Sequence, residues 1–373
     1  MKLPYIDALR GMAILSVIWF HCHLYHYSDP QFYSFMDKMG SPAAMGVQLF
    51  YVVSAFTLFL SQQRTNQVST HTIDFYIRRF FRIAPMYYLA MTYYLIQMAY
   101  SNNQPVALVI VANTWGIIAN ILLVHGLTPL WMNSIIPGGW SVGIEVIIYM
   151  LIPYLCTIIT TLNRAIYFTA CSLLAGYGLT VILYQIPAVQ SNELLKQYLF
   201  FYLPYQLPVF GCGIIAYYVV LKKEKRVSPF TVCLAVSAIS LIVVSKTISK
   251  AYLLNLPHTL HFWGSIGFIG LIIGLANFPV RLLVNPITRY IGKISYSAYL
   301  THFGVLFWLD KLLPQQVIPV NSTSTNMINF NLKFILVVCL TILISTITYA
   351  FIEERGQGFA KRLLLGKRPS WIV

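Results

Sequence analysis

The sequence has 373 residues, 58% hydrophobic and only 9% charged, with a formal charge of +15 at pH 7. Soluble domains carry about 25% charged residues, so a single large soluble core is excluded, and a mean hydropathy of +0.70 points to a polytopic all-α membrane protein. The positive charge does not imply nucleic acid, because no soluble segment could hold a duplex and basic residues collect on the cytoplasmic side of membrane proteins.

Eleven apolar segments follow one another along the chain: 7–27, 44–61, 78–100, 106–125, 140–162, 165–186, 198–221, 228–246, 259–277, 294–312 and 333–352. Most approach the ~20 residues needed to cross a bilayer. None shows the alternating ~10-residue pattern of a transmembrane β-barrel. Residues 1–27 lack a basic segment followed by a small-residue cleavage site and read as a retained first span.

If every segment crossed, the run "KKEKR" at 222–226 would face outward. Basic residues disfavour that side. Segment 106–125 carries Asn113, Trp115 and Asn120 and runs into the turn-rich "MNSIIPGGW". Treating it as re-entrant or non-spanning leaves about ten transmembrane helices with both termini cytoplasmic. Only Lys38, Lys196, Lys246, Lys250, Lys311 and Lys333 then lie outside. Non-helical backbone at membrane depth is tolerated only where protein buries it or it lines a cavity, so 106–139 is expected to wall a site. The expected organisation is one integral-membrane domain over 1–373, with no appended domain.

The first span, "DALRGMAILSVIWFH", carries Arg10 and His21. Eleven residues make about three helical turns plus 20°, so the two project from nearly one face about 16 Å apart. Ile14 and Val17 lie between them, and Asp7 can pair with Arg10 three residues on. Arg10 alone fits a side chain reaching back to the inner surface. His21 sits deeper, where ionisable groups face cavities and carry function, and an imidazole exchanges protons near neutral pH.

"RRFFR" places Arg78, Arg79 and Arg82 at the inner mouth of the third span. Three guanidiniums within two turns suit phosphate groups, and they equally suit a positive-inside anchor. Glu145, in "GGWSVGIEVIIYMLIP", is the one charge of an otherwise uncharged span and can orient a histidine, bind a sugar hydroxyl or pair with a base. "ISYSAYLTHFGVLFW" adds Ser295, Tyr296, Ser297, Tyr299 and His302. Hydroxyl residues of this kind commonly join transmembrane helices. Gln48 and Ser54 on the second span read as packing, and His23, His26 and His125 as interfacial residues. Six dispersed cysteines, Cys22, Cys156, Cys171, Cys212, Cys233 and Cys339, show no metal-ligand spacing, so neither disulfides nor a metal are expected.

Taken together, these segments resemble the membrane-bound acyltransferase-3 family of bacterial O-acyltransferases. The resemblance rests on the Arg10-x10-His21 pattern, then "GVQLFYVVSAF", "RRFFRIAPMYY", "WSVGIEVIIY", "ISYSAYLTHF" and "FIEERG", six pieces in order over essentially the whole chain. Gln48 stands where an acidic residue is common and Ala55 where glycine is usual, so no carboxylate role falls on the second helix. The resemblance implies transfer of an acyl group, commonly acetyl, from cytoplasmic acetyl-CoA to a hydroxyl of an extracytoplasmic or lipid-linked glycan such as O-antigen, lipopolysaccharide or exopolysaccharide. It implies location in the bacterial cytoplasmic (inner) membrane, among membrane lipids. Some relatives of that family carry an extra SGNH-type domain, and none is expected within these 373 residues.

The expected division of roles gives catalysis to His21, Arg10 and Glu145 and binding of the CoA phosphates to Arg78, Arg79 and Arg82. Asp7, Ser295, Tyr296 and His302 are accessory. A transporter or flippase for an anionic or glycan substrate is the rival reading, since cavities with basic mouths also suit a substrate pathway. No inverted repeat supports it. A scaffold or sensor leaves the Arg10–His21 stripe unexplained.

Overall fold

The computed structural model describes residues 3–24, 45–65, 71–221, 260–313 and 323–365. The "KKEKR" run, the expected span 228–246, His26, Cys233 and the lysines at 38, 246 and 250 lie outside the described residues. The helices are α1 (Pro4–Leu24), α2 (Gly46–Thr65), α3 (His71–Ser101), α4 (Val106–Ala112), α5 (Thr114–Ile121), α6 (Gly139–Ile158), α7 (Leu162–Tyr184) and α8 (Pro187–Gln190). They continue with α9 (Glu193–Phe201), α10 (Leu203–Leu221), α11 (Leu260–Asn277), α12 (Pro286–Lys293), α13 (Ser295–Leu312), α14 (Thr323–Thr348) and α15 (Glu354–Leu365). Among the described residues there is no strand, and four helical stretches are long and apolar enough to cross a membrane: Gly139–Ile158, Leu162–Tyr184, Glu193–Leu221 and Thr325–Leu365. The outward apolar side chains of α7, such as Leu174 at 74% exposure, suit hydrocarbon rather than water.

Helix α1 is apolar almost all round and accordingly sits inside the bundle: Ala8, Leu9, Ala13 and Ile14 are fully buried. Small residues let backbones meet. Gly11 lies against the Thr288 carbonyl of α12, and Gly292 of α12 lies against the Asp7 carbonyl of α1. Gly46 opens α2 against the Ala13 carbonyl, and Gly213 of α10 rests on the Val52 carbonyl of α2. Helix α12 is started by a capping box, with Asn285 accepting from the Thr288 N–H and Pro286 at the first helical position.

Segment 106–125 forms α4 and α5, broken at Asn113, and then a 3₁₀ turn over His125–Leu127. Helices of seven and eight residues reach about 10–12 Å, well short of a ~30 Å hydrocarbon core. The segment is tied to the bundle by buried polar groups. The Tyr87 hydroxyl donates to Asn120 Oδ1 at 2.6 Å, Asn120 Nδ2 donates to the Gly116 carbonyl at 2.7 Å, and His125 Nε2 lies 2.8 Å from the Gly139 carbonyl. His125, expected at an interface, is instead fully buried, because this polar cluster satisfies its ring within the protein.

The chain end also differs from expectation. The helix does not stop with the last apolar segment at 352. A π-helical turn, Tyr349–Glu353, carries α14 directly into α15. Ala360 and Leu364, four residues apart on one face, are buried, and Phe359 packs on Phe81 of α3 with ring centroids 5.1 Å apart. That apolar stripe extends the helix where charge alone suggested a solvated tail.

Candidate active site

Arg10 of α1, Ser54 of α2, Arg82 of α3 and Glu145 of α6 converge on one cavity. Ser141, Tyr149, Ser295, Tyr296 and Tyr299 complete its polar lining, and Val47, Phe50, Tyr51, Ile83 and Val142 close it. The space open to a water-sized sphere is about 60 Å³. Arg10 donates to Thr57 Oγ1 at 3.1 Å and pairs with Asp7 at 3.5 Å, the i,i+3 contact that the spacing predicts. Glu145 Oε1 accepts from Ser54 Oγ at 2.6 Å and from the Tyr149 hydroxyl at 2.7 Å. The carboxylate is thereby held by two neutral donors and lines the same cavity as the guanidiniums of Arg10 and Arg82.

The three arginines of "RRFFR" do not line one cavity. Rotation of about 100° per residue puts Arg78 and Arg79 on opposite sides of Arg82. Arg82 alone of the three enters the cavity, where Glu145 and Glu353 both contribute to its electrostatic surroundings. Arg79 lies over the rings of Phe75 at 5.3 Å and Tyr149 at 5.5 Å, a cation–π arrangement, and lines a separate groove with Tyr76, Phe80 and Met150. Arg78 is exposed.

Of the accessory residues, Ser295 lines the cavity and the Tyr296 hydroxyl donates to the Ile83 carbonyl at 3.0 Å. Glu353 is buried at the end of the π-helical turn, where it accepts from Ser297 Oγ at 3.0 Å and Gln357 Nε2 at 3.3 Å.

His21 belongs to a second, uncharged environment. Its Nδ1 lies 3.1 Å from Nε2 of His302, and the Phe303 ring centroid lies 4.3 Å from each imidazole. His302 Nδ1 faces the Tyr299 carbonyl at 2.7 Å and the Ala298 carbonyl at 3.3 Å. The hydrogen bonds of Glu145 go to Ser54 and Tyr149, so the imidazole's partner is His302 and not this carboxylate. Tyr299 joins the two environments. Its side chain lines the cavity, with its hydroxyl donating to the Gly138 carbonyl at 2.9 Å and accepting from Ser141 Oγ at 2.7 Å, while its carbonyl faces His302.

Ser54, Ser141, Tyr149 and Tyr299 were not singled out as site residues from sequence. Tyr149 had a signal, standing one turn beyond Glu145. Ser54 had none, because a lone serine in an apolar helix reads as packing. Gln48 is buried, with its side-chain nitrogen 3.5 Å from Gln206 Oε1.

Comparison with known proteins bears on this arrangement. A family model described as an acyltransferase domain, acyltransferase-3, matches residues 3–350. The O-acetyltransferase OatA of Staphylococcus aureus strain MRSA252 is 23% identical over 398 aligned positions, covering 99% of this chain and 60% of that protein. OatA of strain NCTC 8325 is 22% identical over 396 positions, covering 98% of this chain and 59% of its own. The chain thus spans about 59% of the length of such relatives. No solved structure matches. A match over residues 3–350 places this helical membrane protein in the acyltransferase-3 family.

Proposed function

We propose that the protein transfers an acyl group, acetyl in the first instance, from acyl-CoA to a hydroxyl of an extracytoplasmic or lipid-linked glycan, in the bacterial inner membrane. The observation that carries this reading is the convergence of Arg10 and Arg82 on one cavity, with His21 at the far end of the Arg10 face. Guanidiniums offer planar forked donors to phosphate, so Arg82 and Arg10 receive the anionic donor, with Arg78 and Arg79 contributing long-range attraction at the mouth. The donor's arm runs along α1 past Ile14 and Val17 toward His21.

His21 acts as general base on the acceptor hydroxyl. Its oxygen attacks the thioester carbon, the C–S bond breaks, and the proton taken by the imidazole passes to the departing CoA thiolate. Arg10 orients the donor from the inner side. Glu145, held by Ser54 and Tyr149 in the same cavity, accepts from polar groups of the substrates. O-acetyl transfer by relatives named OatA supports the choice of acetyl.

The test uses purified protein in liposomes with radiolabelled acetyl-CoA, following CoA release with and without crude envelope glycan. Glycan-stimulated release of CoA with label appearing on the glycan is the expected result. Absence of release across a panel of acyl-CoA donors, together with movement of unmodified glycan across the bilayer, overturns this reading in favour of transport.

A further inference from the structure

The histidine pair fixes where hydrogens sit without any help from a carboxylate. A neutral imidazole has one N–H and one lone pair. His302 Nδ1 lies 2.7 Å from the Tyr299 carbonyl and 3.3 Å from the Ala298 carbonyl, and both oxygens can only accept. The hydrogen of His302 therefore sits on Nδ1, and its Nε2 carries a lone pair. That lone pair faces His21 Nδ1 at 3.1 Å, so His21 Nδ1 donates. The Val17 carbonyl, one turn back on α1, also accepts from the His21 ring, at the same spacing by which the Ala298 carbonyl meets Nδ1 of His302. With the His21 hydrogen on Nδ1, shared between His302 and that carbonyl, the lone pair is left on Nε2.

We propose that His302 is a positioning residue that holds His21 in the Nδ1–H tautomer, so that His21 Nε2 is the nitrogen that takes the acceptor's proton. The inference rests on the reading of His21 as the general base. The opposite arrangement would need a second hydrogen on His302, and hence an imidazolium in a fully buried position. Such a charge is costly unless paired, and the ring lies against carbonyl oxygens, His21, and the rings of Tyr299 and Phe303.

The proton count closes. His21 Nε2 takes the O–H proton as the hydroxyl oxygen bonds to the acyl carbon. The imidazolium so formed keeps its Nδ1–H on the His302 lone pair, a hydrogen bond strengthened by the charge. When the thioester C–S bond breaks, the proton on Nε2 passes to the CoA sulfur and the original tautomer is restored. His302 gains and loses nothing over the cycle. Its work is to keep the ring oriented and the second nitrogen open.

The test compares steady-state CoA release and acetyl-CoA binding for wild type, His302→Leu, His302→Gln, His21→Ala and the His21→Ala/His302→Leu double variant. Glutamine keeps an acceptor for His21 Nδ1, whereas leucine fills similar space without one. His302→Leu is expected to lose about 100-fold in kcat, within the range general-base assistance supplies, with the donor KM unchanged. His302→Gln is expected to stay within about 10-fold of wild type. The double variant should be no slower than His21→Ala alone, since residues acting as a unit are not additive. Equal losses in the leucine and glutamine variants, wild-type kcat in His302→Leu, or additive losses in the double variant overturn the proposal. If His302→Leu does not fold, His302→Met takes its place in the same comparison. Wild-type turnover by His21→Ala would remove the general-base reading itself. An inactive His21→Ala beside a fully active His302→Leu removes only the role of His302.

Discussion

Arg10 and His21 leave α1 on nearly the same face about three turns apart, yet their surroundings share little chemistry. Around Arg10 lie a second guanidinium, a carboxylate held by two hydroxyls, and further serine and tyrosine hydroxyls at the cavity wall. Around His21 lie one neutral imidazole and the rings of Phe20 and Phe303. A guanidinium never gives up its proton in a protein, so the Arg10 end can hold charge but cannot move it. An imidazole among aromatic rings can take a proton and return it, and it gains nothing from neighbouring charge that would bias the transfer. The proposed function rests on that contrast, giving occupancy to one end and turnover to the other.

Exchanging losses between the two ends is the strongest way to break that contrast. His21→Ala is expected to lower kcat about 10²- to 10⁴-fold while acetyl-CoA binding persists. Arg82→Ala is expected to weaken donor binding about 10- to 100-fold, the worth of one hydrogen bond to a charged group, with turnover of bound donor largely kept. Titration of labelled donor and single-turnover CoA release separate the two effects. If both variants lose binding and rate together, the ends are not distinct.

A smaller effect sharpens the contrast by leaving both ends alone. Tyr87→Phe removes the 2.6 Å hydrogen bond to buried Asn120 and strands its oxygen. A stability loss of about 1–3 kcal/mol follows from an unsatisfied buried acceptor. It should show as a lower thermal midpoint in detergent, with donor binding and kcat unchanged at low temperature. A kinetic defect without a stability loss would instead draw the α4–α5 region into the reaction. The smallest effect is that of Lys196→Ala, which breaks a pair with Glu193 whose carboxylate side chain is 86% exposed. Such pairs contribute little, and neither melting nor CoA release should change measurably.

Much of this organisation is legible in the sequence because the bilayer constrains it so strongly. Apolar run length reveals the helices, and the 11-residue spacing puts Arg10 and His21 on one face before any coordinates are known. The break at Asn113 follows from polar residues interrupting a segment of marginal length. Tertiary partners are less legible. Nothing in the spacing says that Arg82 and not Arg78 turns inward, because that choice depends on how α3 is rotated against α6 and α13. The pairing of His21 with His302 joins residues 281 positions apart, and no local pattern carries such a contact. The extension of α14 through a π-helical turn is hard to read because the segment after 352 is rich in charge, and only the stripe of Ala360 and Leu364 marks its buried face.

The mutual fit of Gly11 and Gly292 has a consequence for motion. Each glycine receives the partner helix's backbone, so α1 and α12 meet with no flexible side chain between them. Sliding α1 by one residue, or turning it by about 100°, would drive a neighbouring side chain into that notch. Helix α1 is therefore locked in register to α12, and the two can shift only together. The spacing of Arg10 and His21 along α1 is thus held against the same partner backbone, like marks on one ruler.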